Sequence, residues 1–362
     1  MRIAQLTYSY QPIIGGADAY AELLCTALRE RGHEVHVYQR YAEVTDPFVH
    51  QAPRFGRWVG VREYWLIPYW LRRRRAELRG FDVLIGHYPN YCAPASFHRR
   101  LVGLSHGVTW DDDPGARRSR AKRDMARRAF ARCARFVAND TFFLREMGLE
   151  VRPGATPFAE VAPGRWFVPN CVDTEHFSPT GPSPEARAAH VILVPRNLYR
   201  NRGVHLAVQA LGLLVPEWPE LEMDIAGAES QPDYAAEVRG LIAQLGLEAR
   251  VRFVGSVPWP EMPALYRGAA LCVIPSLCGE GTSLAALEAM ACATATITTD
   301  IGGLPDLPAE HCAPTAEALA AKIAEVLPRA AEVGAQQRGV VAAEFHIARW
   351  KAAWARVVEE WG

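Results

Sequence analysis

Apolar residues fall along this chain in short runs of four or five, separated by stretches in which they recur every three or four positions. In the first half the runs Ile3–Leu6, Val35–Tyr38, Val83–Gly86, Leu101–Ser105 and Phe136–Ala138 predict strands. In the second half Val191–Pro195, Met223–Ala226, Arg252–Val254, Leu271–Pro275 and Ala295–Thr298 do the same. Unbroken apolar runs suit strands covered on both faces, and helical spacing between them predicts an α/β fold with doubly wound parallel sheets. The rhythm lapses from Thr174 to His190, where Pro179, Pro182, Ser183 and Pro184 sit in a segment without apolar periodicity. The expected organisation is therefore a first domain over 1–173, a linker over 174–190, a second domain over 191–345 and a final helix within 346–362. That helix, from about Ala348 to Trp361, carries Trp350, Trp354, Val357, Val358 and Trp361 on one broad apolar face.

Composition narrows the picture. At 362 residues the chain is long for one domain and sufficient for two, each with its own core. A formal net charge of zero argues against a nucleic-acid partner. The cysteines Cys25, Cys92, Cys133, Cys171, Cys272, Cys278, Cys292 and Cys312 include no C-x-x-C pair and no His-flanked zinc spacing, which predicts buried free thiols in a reducing compartment. The first strand starts almost at Met1, without a signal-peptide pattern, and no run reaches the roughly 18 apolar residues of a spanning helix. A cytoplasmic location is the expectation, with contact at the inner face of the membrane left open.

Candidate chemistry concentrates between Pro275 and Asp306, in PSLCGEGTSLAALEAMACATATITTDIGGLPD. Thr282 and Ser283 are good N-cap residues, so a helix is expected to begin there with its free N–H groups and positive dipole end turned toward an anion. Gly279 and Gly281 are expected to take positive φ and let a ligand approach, while Glu288 points back from about one and a half turns into the helix. Since Leu284, Leu287, Ala289, Met290 and Ala291 make that helix apolar on most sides, a carboxylate within it needs a polar partner. A glycosidase pair is the rival. Eight helical residues from Glu280 to Glu288 span about 12 Å, beyond the roughly 5–9.5 Å of hydrolytic carboxylates, although the turn before the helix weakens that argument.

This segment resembles the E-x7-E signature of family-4 retaining glycosyltransferases of GT-B fold. Other stretches resemble that family in the same order. MRIAQLTYSYQPIIGGADAYAELLCTALRERGHEVHVY is similar to its opening strand, Gly-Gly loop, first helix and second strand. Ser105-His106-Gly107 resembles its His-Gly element, Val168-Pro169-Asn170-Cys171-Val172-Asp173 its interdomain strand, and Pro195-Arg196 through Arg202-Gly203 its phosphate elements. The resemblance implies two Rossmann-like domains, with the C-terminal helix crossing back to the first. It also implies transfer of a sugar with retention, from a nucleotide diphospho-sugar held mainly by the second domain to a carbohydrate, lipid-linked or small-molecule acceptor held by the first. Neither metal nor cofactor is expected. Epimerases and phosphorylases of the same fold, and an inactive sugar-nucleotide-binding scaffold, are the alternatives.

Transfer builds negative charge on the departing phosphate, so fixed cations and N–H donors should favour the transition state. Arg196, at the C-terminal end of a predicted strand, and Arg202 are the candidate cations. The family usually has Lys where Arg202 stands, and Arg200 is the alternative. By resemblance, Gly15 and Gly16 approach the diphosphate, His106 contacts the donor sugar without acting as a general base, Glu280 meets the sugar hydroxyls, and Glu288 meets the ribose. Backbone N–H groups of Thr282, Ser283 and Leu284, beside Gly281, are expected near the phosphate or sugar. Two other readings fail. Asp111-Asp112-Asp113 is an acidic loop in the wrong place for a metal-binding D-x-D, and no G-x-G-x-x-G joins a strand to a helix, which removes the support for a dinucleotide enzyme.

Two arginine-rich stretches bear on the acceptor. Arg57 to Arg75 mixes Trp58, Tyr64, Trp65, Tyr69 and Trp70 with basic residues, and Arg117 to Arg135 sets Met125, Ala129, Phe130 and Cys133 on one stripe among arginines. An anionic membrane surface, an aromatic platform for a glycan and an ordinary core with solvated arginines all fit the pattern.

Overall fold

The computed structural model describes residues 1–13, 15–54, 63–182 and 190–361, and the side chains of residues 63–65 lie outside that description. The chain divides into two compact units, one made of 1–152, 156–169 and 348–362, the other of 153–155 and 170–347. The division at Pro169/Asn170 precedes the 174–190 segment, of which residues 183–189 lie outside the described residues.

The first unit is built on β1 (Arg2–Leu6), β2 (Glu34–Gln39), β3 (Val49–Gln51), β4 (Val83–His87), β5 (Leu101–Ser105), β6 (Arg135–Ala138), β7 (Ala159–Ala162) and β8 (Arg165–Phe167). Their order in the sheet is β3-β2-β1-β4-β5-β6-β8-β7, and every neighbouring pair is parallel except β7 with β8. The chain lays strands outward on one side of β1, then resumes at β4 on the other. That reversal, between β1 and β4, is where loops at the carboxyl ends of the strands part and leave a crevice.

The second unit repeats the plan with β9 (Val191–Pro195), β10 (Glu222–Ala226), β11 (Val251–Gly255), β12 (Leu271–Ile274), β13 (Ala295–Thr299) and β14 (Glu310–Cys312), in the order β11-β10-β9-β12-β13-β14. Its reversal lies between β9 and β12, which pair through Leu271 with Ile192 and Cys272 with Leu193. All five residues of β9 are buried, and Ile192, Val194, Met223, Ile225, Leu271, Val273 and Ile297 share one apolar core with the helix Val204–Leu214. Burial on both faces explains why these strands read as unbroken apolar runs.

Every strand expected from an apolar run is present. The runs miss β3, β7, β8 and β14, which are three or four residues long and contain His, Gln, Glu or Arg. They add to sheet edges, where a short segment is carried by the ladder of its neighbour and needs no apolar pattern of its own. Val168 to Asp173 does not form the strand that the resemblance implied. Only Val172 pairs, through one parallel bridge to His346.

The C-terminal helix, Ile347–Glu359, buries Trp350, Trp354, Val357 and Val358 within the first unit. Trp354 donates its indole N–H to Tyr20 Oη at 2.8 Å, and the Tyr20 ring meets Trp350 edge-on. Arg31 and His33 both reach Glu359, at 2.6 and 2.8 Å. Among the described residues no helix is long and apolar enough to cross a membrane, and the eight cysteines are free.

Candidate functional site

Both ends of the E-x7-E segment are placed by the reversal between β9 and β12. The chain leaves β12 at Ile274, turns through Ser276 and Glu280, and enters the helix Leu284–Ala291. Ser283 caps it, its hydroxyl accepting from the Ala286 N–H at 3.3 Å. Glu280 therefore precedes the helix, so the 12 Å separation computed for an unbroken helix does not apply. Gly279 takes the left-handed conformation at φ +69°, whereas Gly281 does not. The tighter demands for glycine lie elsewhere. A Cβ on Gly203, at φ +67°, would stand 1.8 Å from the Pro275 carbonyl oxygen, and one on Gly302 would stand 2.2 Å from that of Glu280.

Arg196, the first residue beyond β9, and Arg202, at the end of a single 3-10 turn, converge on one carboxylate. Arg196 Nη2 lies 3.1 Å from Glu280 Oε1, and Arg202 Nη1 pairs with the same oxygen. Ser276, fully buried, accepts from Arg196 Nη2 at 3.0 Å and donates to Glu280 Oε1 at 3.1 Å. Burial pulls both guanidinium groups down to about 10, and for Arg202 the charge of Arg196 adds to the effect. Both remain cationic at neutral pH. Two cations share one anion, so the cluster keeps an uncompensated positive charge, and the buried Arg196 Nε has no hydrogen-bond partner among the described residues. Burying net charge is costly unless an anion completes the site.

Arg200 does not substitute for Arg202. Its guanidinium forms a two-point pair with Glu237 at the surface and stacks over Tyr234.

Glu288, on the helix, is only partly covered as a residue, yet its carboxylate sits among Tyr266, Trp259 and the apolar helix face. Tyr266 donates to Glu288 Oε2 at 2.8 Å, and Trp259 also hydrogen-bonds to the carboxylate. Burial outweighs both donors and pushes the Glu288 carboxyl up to about 7. Thr282 is spoken for by the scaffold, because Asn170 donates its backbone N–H to Thr282 Oγ1 at 2.9 Å and its amide to the Thr282 carbonyl. The motif that failed to form a strand thus anchors the loop that leads into the helix.

In the first unit Gly15 is extended and caps the helix Gly16–Glu30, with the Asp18 carboxylate accepting its N–H at 3.2 Å. Nothing lies within 4 Å of where a Gly15 Cβ would stand, so the space there is open, while neighbouring Ile14 lies outside the described residues. His106 follows β5 and lies 3.1 Å from His87, with Tyr20 edge-on and Tyr88 tilted beside it. Burial lowers its imidazole to about 4, which leaves it neutral.

A cavity of about 720 Å³ opens at the reversal between β1 and β4. Tyr8, Ser9, Tyr88, Asn90, Trp110 and Lys122 are among the residues that line it. Asn90 is 4% exposed, and among the described residues neither end of its amide has a partner, nor does the buried Ser9 hydroxyl. Sequence reasoning missed Ser276, Tyr266, Trp259, Asn90 and His87. For Ser276 and Asn90 there was a readable signal, since each lies just beyond an apolar strand run on the side of the sheet where ligands bind.

The arginine stretches resolve in part. Residues 57–62 lie outside the described residues, as do the side chains of Tyr64 and Trp65. Trp70 is buried, Tyr69 is exposed under Arg73, and the stripe on the helix Arg117–Arg132 turns Ala129 and Cys133 inward with Met125 and Phe130 half-covered. Asp112 of the acidic triplet pairs with Arg118, and no cluster of metal-ligating side chains occurs among the described residues.

Comparisons with known proteins agree with this layout. Residues 14–152 match the glycosyltransferase family 4 model, and residues 189–329 match the model for group 1 glycosyl transferases. The chain is 23% identical over 357 residues to the D-inositol 3-phosphate glycosyltransferase of Corynebacterium glutamicum, covering 86% of this chain and 83% of that protein. Its structure is similar to the sucrose-phosphate synthase of Thermosynechococcus elongatus, with TM-score 0.80, 20% identity and 98% of each chain covered. It is also similar to Anabaena HepE in complex with UDP and glucose, with TM-score 0.76, 18% identity and 99% of each chain covered. With a glycosyltransferase model matched in each half and a fold over the whole chain that matches GT-B structures, the chain belongs to the glycosyltransferases of GT-B type.

Proposed function

We propose that this protein transfers a sugar, with retention at the anomeric carbon, from a nucleoside diphospho-sugar to a hydroxylated acceptor, and that it does so without a metal. The observation that carries this reading is the Arg196–Arg202–Glu280–Ser276 cluster at the β9/β12 reversal. A buried site with net positive charge and an unsatisfied Nε donor is preorganised for a diphosphate, whose charge grows as the glycosidic bond breaks. The helix capped by Ser283 adds its N-terminal dipole end to the same charge. Glu288 accepts the ribose hydroxyls, and Glu280, besides holding the two arginines, offers its second oxygen, Oε2, to a hydroxyl of the sugar.

The surroundings of Glu280 support retention. A carboxylate whose Oε1 is held by two guanidinium groups and a hydroxyl is a weak nucleophile and a weak base, so it serves neither as covalent nucleophile nor as general base. The departing phosphate then remains as the base for the incoming hydroxyl, on the face it leaves. Cationic recognition of the phosphate also makes a divalent ion unnecessary.

The acceptor belongs in the cavity of the first unit. Asn90 and Ser9 supply buried donors and acceptors that have no partner among the described residues, and Tyr8, Tyr88 and Trp110 supply apolar walls for a ring or aglycone. Exposed arginines, among them Arg72, Arg73, Arg75, Arg127 and Arg128, further suit an acceptor presented at an anionic membrane surface. A screen of nucleoside diphospho-sugars for binding, followed by hydrolysis of the best, tests the reading. Turnover of one of them supports it, and failure of all to bind overturns it.

A further inference from the structure

His106 has a buried companion that the proposed chemistry does not use. His87, the last residue of β4, is fully buried and touches two polar partners. Its Nε2 is 2.8 Å from Gln5 Oε1, and its Nδ1 is 3.1 Å from His106 Nε2. Gln5, also fully buried, directs its amide N–H at the Ala21 carbonyl at 3.4 Å, which turns its oxygen toward His87. An amide oxygen only accepts, so His87 Nε2 carries the proton that meets it. Burial lowers the His87 imidazole well below its ordinary range, so the ring is neutral and its Nδ1 is a bare acceptor. His106 Nε2 must then be the donor. The neutral His106 ring is left with a bare Nδ1, and among the described residues that atom has no partner.

We propose that Gln5 and His87 form a positioning relay that locks His106 in the tautomer whose Nδ1 is a lone acceptor, so that the substrate group meeting His106 is a hydroxyl that donates its proton. A phosphate or carboxylate oxygen at Nδ1 would face lone pair against lone pair. The relay excludes such groups and excludes a carbonyl for the same reason. Neither Gln5 nor His87 touches substrate, and both act through the ring of His106. The step from tautomer to a sugar hydroxyl rests on the glycosyl-transfer reading above, and the tautomer itself does not.

The full chain labelled with 15N-histidine, observed by long-range 1H–15N NMR at neutral pH, reads the tautomer directly, with His106→Gln identifying the resonances. The expected spectrum has a protonated Nε2 and a bare Nδ1 on His106. His87→Gln should keep it, since an amide donates on one side and accepts on the other, whereas His87→Met should release His106 into a mixture of tautomers. Hydrolysis of UDP-glucose, used as a probe, should fall about tenfold in kcat in His87→Met and be restored in His87→Gln, with KM little changed. Addition of UDP-glucose but not UDP should move the Nδ1 resonance if the hydroxyl comes from the donor. Methyl α-glucoside or myo-inositol should move it if the hydroxyl comes from the acceptor. A protonated Nδ1 in the wild type, an unchanged tautomer in His87→Met, or a response to UDP alone overturns the proposal. Turnover of UDP-glucose with no response of Nδ1 to any of the sugars also overturns it, whereas the expected tautomer in a protein that binds no nucleoside diphospho-sugar leaves the relay standing and overturns the glycosyl-transfer reading.

Discussion

Arg196 and Glu280 lie 3.1 Å apart, almost wholly enclosed, and the pair is asymmetric because Arg202 draws on the same oxygen. Removing either kind of charge should therefore have opposite effects on anion binding. Glu280→Gln leaves two buried guanidinium groups unopposed and should cost about 3–5 kcal/mol of stability, as breaking a buried ion pair does. Part of that loss should return when UDP is added, because the nucleotide diphosphate replaces the missing negative charge. Thermal unfolding with and without UDP measures both, and a variant as stable as the wild type and indifferent to UDP would mean that the cluster binds no diphosphate.

Arg196→Met removes a cation and leaves Glu280 with Arg202, so the fold should survive while sugar-nucleotide cleavage drops by about 10²–10³. Arg202→Lys keeps a charge but loses the planar fork, and its loss should be smaller, about tenfold. Steady-state kinetics on the best donor decide. Equal, small losses in both would remove the arginines from the transition state.

Glu288 gives a pH signature. Its carboxyl, raised by burial to about 7, takes up a proton in the folded state that the unfolded chain does not bind above the ordinary carboxylate range. The contribution of this group to stability is therefore most favourable at low pH and declines as pH rises toward about 7, becoming flat beyond. Nucleotide affinity should run the other way, rising through about pH 7 as the carboxylate becomes a charged acceptor for the ribose. Glu288→Gln should flatten both profiles and weaken nucleotide binding about 10–100-fold, the range for a hydrogen bond to a charged group. Calorimetric titrations from pH 5.5 to 8.5 check this, and identical profiles in wild type and variant would detach Glu288 from the nucleotide.

Asn90 separates stability from function. Replacing an unpartnered buried amide by an apolar group of similar size removes a desolvation cost, so Asn90→Leu should unfold at the same temperature as the wild type or higher. If the cavity holds the acceptor, the same change should raise the acceptor KM about tenfold or more and leave donor hydrolysis untouched. Unchanged acceptor kinetics would place the acceptor elsewhere.

How much of this was legible in the sequence depends on what carried the signal. Strands β1 and β9 announced themselves because burial on both faces demands unbroken apolar runs, and the cap at Ser283 showed because its hydroxyl has a local task. Arg196, Arg202 and Glu280 were readable by their place along the chain. Their mutual pairing was not, since it depends on β9 and β12 becoming neighbours across the 75 residues that separate Pro195 from Leu271. The resemblance gave Glu280 to the sugar hydroxyls, and its pairing through Oε1 with Arg196 and Arg202 was not part of that expectation. Tyr266 as partner of Glu288, and Gln5 as partner of His87, are likewise contacts between separate elements, and neither residue type reveals a tertiary partner from its own surroundings in the chain.

The basic face of the first unit is testable apart from catalysis. Arg72, Arg73 and Arg75 are exposed, and each cation near an anionic surface contributes about 1 kcal/mol, an attraction that salt screens. Co-sedimentation with vesicles containing phosphatidylserine should show binding at low salt that fades as salt rises, and replacing Arg72, Arg73, Arg74 and Arg75 with Gln should reduce it. Protein that stays in the supernatant at low salt would show that these arginines are a solvated face.

The central claim is that the arginine cluster, with no metal, lets the departing phosphate assist an attack on its own side of the sugar. The most direct measurement is 1H NMR of the anomeric proton of the first-formed product, with the reaction run in excess EDTA from an α-linked nucleoside diphospho-sugar. The account predicts an α-linked product formed at the rate seen without EDTA. A β-linked product, or a reaction that EDTA stops and Mg²⁺ or Mn²⁺ restores, would contradict it.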